Sequence, residues 1–535
     1  VTPISALRMA SPLDNASYTR LSERGGSAGA AGSVQLVQAG ALDKAQAQAP
    51  PTASVVWLSQ APERAVPADN TYEQLQPFTV TTVSKADTLA SAMPKPSGAE
   101  KTWASSPAGD AISTLMARNY GTTPRDRDNL ANQWRGLGSA LLSKLSAATT
   151  EPVDFRQTML VGIDPTQSLD DQFSNLQRKA ATVTLQIKTR SGQTVDLQIA
   201  VNNQPRLPNA SANPGIQVAV SSSGALSDAE RQALVTLSDG LEEALAGLGQ
   251  SESPTMDLAG LMNYDRSVFS GLSLDIVNPT ASAAVGAFSL RLGEHENTLA
   301  FKGTAGQIDL RLDVTPPLSA DNAQQRQAAL AQQLQLIDAA AERGHADAAL
   351  VDLFKSSFTQ MHQAAASSEG RAVGVLGMSP ALPGPGFTEQ AQPLLSGLTD
   401  FEASFSGDFT RNNRWNSVTE KGHVEYEISQ KTEVQTDPRK DTASIVQEQS
   451  EQLKSQYAKA RNEGMLDISS GNFDRYRIQD RRTVTTLLEA AKDRLTNAVQ
   501  KTDQTQSHTH ETLVNNRVQE RRETPDEQHF LKSLQ

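Results

Sequence analysis

The chain contains no cysteine. That excludes disulfides, thiol nucleophiles, Cys-ligated zinc and iron–sulfur clusters. It does not fix the compartment, because exported and cytoplasmic proteins both do without Cys. Aromatic residues are scarce, at 5% of 535 positions, and hydrophobic residues reach only 38%. Part of such a chain is expected to lie outside any packed core. No apolar run approaches the roughly 18 residues that mark a membrane-spanning helix. The opening VTPISALRMASPLDN lacks the basic flank and long apolar stretch of a secretory signal. It starts on Val1, which leaves the native start open. A cytoplasmic location and export without a recognisable signal both fit. Positive charge is in deficit too: 48 Lys and Arg face 60 Asp and Glu, for a net charge of −12. This argues against a dedicated nucleic-acid binder, although an acidic total is compatible with a local basic patch.

What is present changes along the chain. Residues 1–105 are rich in Ala, Ser, Gln, Pro and Gly, and are expected to form a disordered arm. VVWLSQ (55–60) is its one apolar island, read as a short docked segment. Residues 106–150 read as helical. Thr123 is the expected N-cap and Pro124 the first helical residue, and Leu130, Trp134, Leu137, Leu141 and Leu145 make one apolar face.

Residues 151–316 read as an α+β core. AATVTLQIKT and TVDLQIAVN alternate strictly around the turn RSGQ, which predicts an antiparallel hairpin with one wet face. DFRQTMLVG and GIQVAVS are its expected neighbours. GALSDAERQALVTLSDGLEEALAGLG then predicts a helix, with Ser227 and Glu230 as a capping box and leucines 234, 237, 241, 245 and 248 as its buried stripe. Glu242 and Glu243 are expected on its wet face. Gly240 costs about 1 kcal/mol relative to Ala inside a helix. It is therefore expected to permit close contact with the sheet, or to mark a kink. SVFSGLSLDIV, AFSLRLG and GQIDLRLDV alternate as further strands.

Residues 319–366 predict a helical hairpin capped by Ser319 and broken at Gly344, and 367–396 a Gly/Pro-rich linker. From 397 to 535 the charge density roughly doubles. Residues 399–535 hold 20 Lys and Arg and 23 Asp and Glu. YEISQKTEVQT (426–436) and YRIQDRRTVTT (476–486) match as Y-x-I-x-x-[KR]-x-x-V-x-T. Each runs toward a stretch of helical composition, SIVQEQSEQLKSQYAKA or TLLEAAKDRLTNAV. A charged mixed β/α module with a two-copy repeat is expected, as paired long strands or as two strand–helix units. The fold class is thus α+β: an antiparallel sheet covered by amphipathic helices, with a helical hairpin, the charged module and the disordered arm.

Chemistry-bearing motifs are few. Gly25–Gly29 spells G-x-S-x-G, but its flanks are low in complexity, whereas a nucleophile elbow needs a strand before it and a helix after it. His508, His510 and Glu511 form the single histidine cluster. Two imidazoles and a carboxylate suit zinc or nickel, yet the tract has no H-E-x-x-H spacing and reads as solvated. Asp170–Asp171 reads as a solvated pair at a loop or strand end. Arg475, Arg477, Arg481 and Arg482, interrupted by Asp474 and Asp480, read as a wet strand face. Asn15 and Asn209 head glycosylation sequons, relevant only in a secreted eukaryotic protein. No P-loop or dinucleotide fingerprint occurs. No catalytic residue and no cofactor is assigned.

Leu226, Ser227, Asp228, Glu230, Arg231 and Ala233, followed by Tyr264, Asp265, Phe269, Leu272, Ser273 and Leu274, resemble an uncharacterised gammaproteobacterial domain family. Its pattern is an L-S-D-x-E-R-x-A helix followed by a Y-D-x-x-x-F-x-x-L-S-L segment. Ala229 and the GQSESPT insert depart from that pattern. The resemblance covers about 150–280 and implies a bacterial origin and no catalytic residue. The expectation is a non-enzymatic protein-interaction or structural protein, binding a protein partner through the 1–105 arm or the C-terminal module. The alternatives are a hydrolase with a site assembled from loops, or an export or appendage accessory protein.

Overall fold

The computed structural model describes residues 19–20, 101–104, 110–120, 129–148, 151–203, 214–250, 254–280, 283–314, 322–368, 384–461 and 464–535. Of the arm, only 19–20 and 101–104 are described, and there two short strands stand in place of the expected disorder. Its other expectations, including residues 25–29 and 55–60, and those for Asn15, Thr123, Pro124, Asn209 and Ser319, lie outside the described residues.

Strands dominate. β1 (Thr19–Arg20), β2 (Lys101–Trp103), β3 (Asp154–Val161), β4 (Ala181–Thr189), β5 (Thr194–Asn202) and β6 (Gly215–Ser222) come first. β7 (Phe269–Val277), β8 (Ala287–Leu292), β9 (Glu296–Gly303), β10 (Gly306–Asp313) and β11 (Phe401–Asn412) follow. β12 (Val418–Asp437), β13 (Thr442–Lys459), β14 (Asp474–Ala491), β15 (Arg494–Val514) and β16 (Arg517–Ser533) are the long ones. All belong to one antiparallel sheet in the order β1-β16-β15-β14-β13-β12-β11-β10-β9-β8-β7-β4-β5-β6-β3-β2. From β7 to β16 every strand pairs with the next in sequence. Short connections favour this, except between β10 and β11, which pair across the long 314–400 connection that carries the last helices. The sheet runs without interruption through 151–316 and 397–535.

The predicted hairpin is β4–β5, in the register Leu185 to Leu197. β6 pairs with β5, and β3 pairs with β6 rather than with the hairpin itself. Alternation sends Val183, Leu185 and Ile187 into the core, each fully buried, while Thr184 and Gln186 face out.

Helices cover the apolar face. The 106–150 segment holds α1 (Ala111–Asn119), α2 (Leu130–Trp134) and α3 (Leu137–Ala147). The predicted single stripe is thus split in two. Gly136, at φ 71°, turns the chain between α2 and α3, and its N–H donates to Glu242 Oε1 at 2.7 Å. Glu242 is therefore a structural acceptor and not part of a wet face, whereas Glu243 is exposed. α4 (Leu169–Lys179) lies on the opposite face, where Leu176 packs on Leu160 and Ala200. Asp170 and Asp171 occupy its first turn behind the Ser168 N-cap, so they favour a helix start; they do not mark a loop.

α5 (Asp228–Leu248) is the helix of the capping box, followed by the short α6 (Ala259–Met262). Leu234, Leu237, Leu241, Leu245 and Leu248 are all at most 2% exposed, each burial being worth about 1.5–3 kcal/mol. Glu230 Oε2 accepts from the Ser227 N–H at 2.7 Å, and Oε1 accepts from Ser191 Oγ at 2.6 Å. The box therefore also ties the helix to the β4–β5 turn. Burial pushes the Glu230 carboxyl up, but the hydrogen bonds from Ser191 and Ser227 outweigh it and hold the group below its ordinary value. A lowered carboxyl contributes stability above its unfolded pKa and loses it as pH falls through the folded one. Glu230→Ala is expected to cost about 1–2 kcal/mol at neutral pH, read as a lower urea midpoint, and to cost progressively less in acid.

α7 (Ala323–Gly344) and α8 (Ala348–Ser368) form the predicted helical hairpin. Asn322 caps α7, and His345, at φ 62°, turns the chain after Gly344. α8 packs Phe354 and Phe358 onto Phe405 and Phe401 of β11. The 367–396 linker contains a helix, α9 (Pro385–Ala391), because Pro385 sits in its first turn, where a missing N–H costs nothing. α9 seats Phe387 and Ala391 in a cluster with Ile445, Leu488 and Ala498. Residues 369–383 lie outside the described ones.

Among the described residues of 397–535 the regular elements are all strands. SIVQEQSEQLKSQYAKA lies in β13, and TLLEAAKDRLTNAV spans the β14–β15 turn, so the helical halves expected of the module are absent among the described residues. The two repeat copies fall in β12 and β14. Their registers run Tyr426–Leu453–Asp480, which offsets the copies by four residues and leaves both tyrosines on the helix-bearing face.

Candidate functional site on the outer strands

Strict antiparallel register places Gly422, Tyr457, Tyr476, His510 and Arg522 in one row across β12–β16. The row makes a stack of planar rings. His345, at the end of α7, lies over Tyr457 with centroids 4.4 Å apart. Tyr457 lies over Tyr476 at 4.8 Å, and Tyr476 over His510 at 4.5 Å. Gly422 is required beneath it, because a Cβ there would meet Tyr457 Cβ at 2.4 Å and the Phe409 ring at 2.7 Å. Burial, then Glu420 and Tyr476, push the Tyr457 phenol well up, and burial and Asp474 raise Tyr476. Both are held as neutral hydroxyls.

Ion pairs flank the stack. The Arg343 guanidinium donates to Asp480, and His345 pairs with Glu420, which is 5% exposed at its side chain. Lys459 approaches the same Glu420 at 3.8 Å. The carboxylate bound to Arg343 raises that arginine further.

The histidine cluster does not converge. His508 and His510 lie on the helix-bearing face of β15, where both stack on Tyr476. Glu511 points through the opposite face and accepts from Arg475 Nε at 2.7 Å, a bond that lowers its pKa. His510 Nε2 has Asp474 Oδ1 at 3.5 Å instead. Burial, then the neighbouring Arg343 and His510, lower His508. Among the described residues no group of three or more His, Asp or Glu has metal-holding geometry. Period two, which governs where these residues point, is visible in H-T-H-E only once the tract is known to be a strand.

Alternation also divides the arginines. Arg475, Arg477 and Arg481 share the outer face of β14, while Arg482, Asp474 and Asp480 share the helix-bearing face. The acids therefore do not interrupt the basic row. On the same outer face, His423 of β12 sits 2.8 Å from Asp408 of β11, and His529 of β16 sits 2.7 Å from Asp503 of β15. The second contact raises His529 and lowers Asp503. The ring stack and the two His–Asp contacts escape the sequence because each joins residues of separate elements, the stack drawing on β13, β14, β15 and the end of α7.

The resemblance motif also has a place in the fold. Ser227 and Glu230 are the capping box, and Phe269, Leu272 and Leu274 are buried core positions of β7. Comparison with family models, with curated proteins and with solved structures finds no match.

Proposed function

We propose that this chain is a non-enzymatic protein-interaction or structural protein, and that β16 is its docking edge. The observation that carries the reading is the length of that edge. β16 pairs along its 17 residues with β15 on one side. On its other side it meets only Thr19–Arg20, at Leu531 and Phe530, among the described residues. An edge strand that pairs with so little on its outer side among the described residues is a template for an added strand. The Leu534 N–H donates to the Ala498 carbonyl. From Glu520 onward, past the bulge at Gln519, alternation then turns even-numbered residues of β16 toward β15 and odd-numbered ones outward, Pro525 among them. Pro525 and the surrounding charges suppress indiscriminate pairing and leave two shorter stretches for a specific strand.

The same parity supplies the test. Glu527→Pro with His529→Pro removes two outward backbone donors and leaves the backbone bonds to β15 in place. It also gives up the exposed His529–Asp503 contact, for which His529→Ala is the control. The double variant is expected to keep the thermal midpoint of the parent and to lose the partner captured by the full chain. Capture unchanged by the prolines, or turnover in a hydrolase substrate panel without any captured partner, refutes the reading.

A further inference from the structure

The turns β11–β12, β13–β14 and β15–β16 all lie at one end of the long strands, beyond the row Glu420–Lys459–Asp474–Thr512–Glu520. That end is unusually apolar. Among the described residues, seven large hydrophobic side chains are exposed, and four of them are here: Trp415 at 61%, Met465 at 70%, Ile468 at 49% and Val518 at 47%. The opposite end, at Asp437–Asp441 and Lys492–Asp493, carries none of them.

These side chains are presented, not merely left over. Asn413 Oδ1 accepts from the backbone N–H groups of Trp415 and Ser417 and locks the turn that displays the indole. The Leu466 N–H donates to the Val418 carbonyl, and Asp467 Oδ1 accepts from the Ser469 N–H, which pins the Met465–Ile468 loop beside it. The Asn516 N–H donates to the Gly471 carbonyl and fastens the third turn to the second. A fixed turn with an exposed indole pays its ordering entropy in advance, which suits insertion.

The surrounding charge has the sign opposite to that of the chain. Residues 411–422, 457–476 and 510–522 hold nine Arg and Lys against six Asp and Glu, in a chain of net charge −12. The Arg414 guanidinium lies 4.0 Å above the Trp415 ring. Indole, aliphatic tips and guanidinium together match the headgroup region of a bilayer, where Trp settles and basic groups meet anionic lipid.

We propose that this end of the long-stranded wing is a peripheral docking surface for an anionic phospholipid bilayer. Trp415, Met465 and Ile468 insert to headgroup depth, and Arg414 and Arg517 contact lipid phosphates. No described helix is long and apolar enough to cross a membrane, and the contact needs none. It is separate from the β16 edge, because inserting tips leaves the strand's outward backbone free.

The full chain is incubated with vesicles of phosphatidylcholine and phosphatidylglycerol, and with vesicles of phosphatidylcholine alone, and sedimented. Binding is expected to the anionic vesicles and to fall as salt rises. The triple variant Trp415→Ser, Met465→Ser, Ile468→Ser is expected to bind about tenfold more weakly or worse. Arg414→Glu with Arg517→Glu should lose about tenfold, and Trp415→Phe should retain most binding. The three substituted turns are exposed, so the thermal midpoint serves as the folding control. The proposal is overturned if the parent ignores anionic vesicles, or if the triple variant binds as the parent does. It is overturned equally if the tip variants lose a nucleic acid or a protein while no form of the chain binds lipid.

Discussion

Replacing His362 by leucine is expected to make the protein markedly more resistant to acid. His362 is 6% exposed, between the rings of Phe358 at 4.5 Å and Phe401 at 5.2 Å, and its Nε2 has no hydrogen-bond partner. Burial alone lowers its pKa from 6.5 to about 3. The fold therefore holds the imidazole neutral, while the unfolded chain protonates it below pH 6.5. Stability is fully present above that value and is lost as pH falls from 6.5 toward 3, at up to about 1.4 kcal/mol per pH unit. Between pH 6.5 and 4.5 this one residue withdraws about 2–3 kcal/mol. His362→Leu removes that loss and, at neutral pH, also removes a buried nitrogen lacking a partner, which offsets imperfect packing. The measurement is the difference in urea midpoint between variant and parent across this pH range. Every other titrating group is common to both proteins and cancels. Curves that stay parallel would show that the imidazole is not held neutral.

Which parts of this fold could be read from sequence follows from where water lies. β4 and the first part of β5 have one dry and one wet face, so TVTLQIKT and TVDLQI alternate cleanly, whereas from Ala200 on β5 is buried on both faces. Ser227 and Glu230 announce the start of α5 because capping depends on residues only three apart. β13 is different. Much of both its faces is polar, its inward row running Ile445, Gln447, Gln449, Glu451 and Leu453, so period two has little contrast. Gln, Glu, Lys and Ala, which are good helix formers, then dominate the impression. The β14–β15 turn was hidden for another reason: Lys492 and Asp493 take φ 52° and 59° where a two-residue hairpin usually shows Asn-Gly. Asn515–Asn516, with φ 51° and 61°, is the legible version of the same turn. β9, in ENTLAFKG, is harder to read because its inward row starts with the polar Asn297 and leaves only Leu299 and Phe301 as apolar markers. The candidate site was less legible than the fold. His508 and His510 stand out as a pair, but nothing local shows that Tyr457 and Tyr476 stack beside them, or that α7 delivers His345 to the row.

Gly240→Ala is expected to destabilise the protein by about 2–3 kcal/mol, reversing the usual sign of such a change. In a helix interior the substitution ordinarily gains about 1 kcal/mol, because glycine has more backbone freedom to lose. Gly240 lies in the middle of α5, and what it approaches is neither the sheet nor a kink but the backbone of α6. A Cβ on Gly240 would meet the Gly260 carbonyl carbon at 2.4 Å, its Cα at 2.7 Å and the Leu261 nitrogen at 2.8 Å. A Cβ on Gly260 would meet Gly240 Cα at 2.4 Å. All of these atoms are main chain, so no rotamer change relieves the overlap, and α6 must move. Leu261 and Met262 of α6 are buried in the main core, as is Leu258 just before it, whose N–H is held by Gln360 of α8 at 2.7 Å. Displacement therefore strains a packed layer, the setting in which overpacking costs about 1–3 kcal/mol or more. The two glycines serve one contact. Gly260→Ala should cost a similar amount, and the double variant should cost clearly less than the sum, since the first methyl already forces the helices apart. Urea midpoints of the parent, the two single variants and the double variant measure this, with Thr236→Ala on the outer face of α5 as the ordinary-helix control. A raised midpoint for Gly240→Ala, or strict additivity of the pair, would rule out the close crossing of α5 and α6.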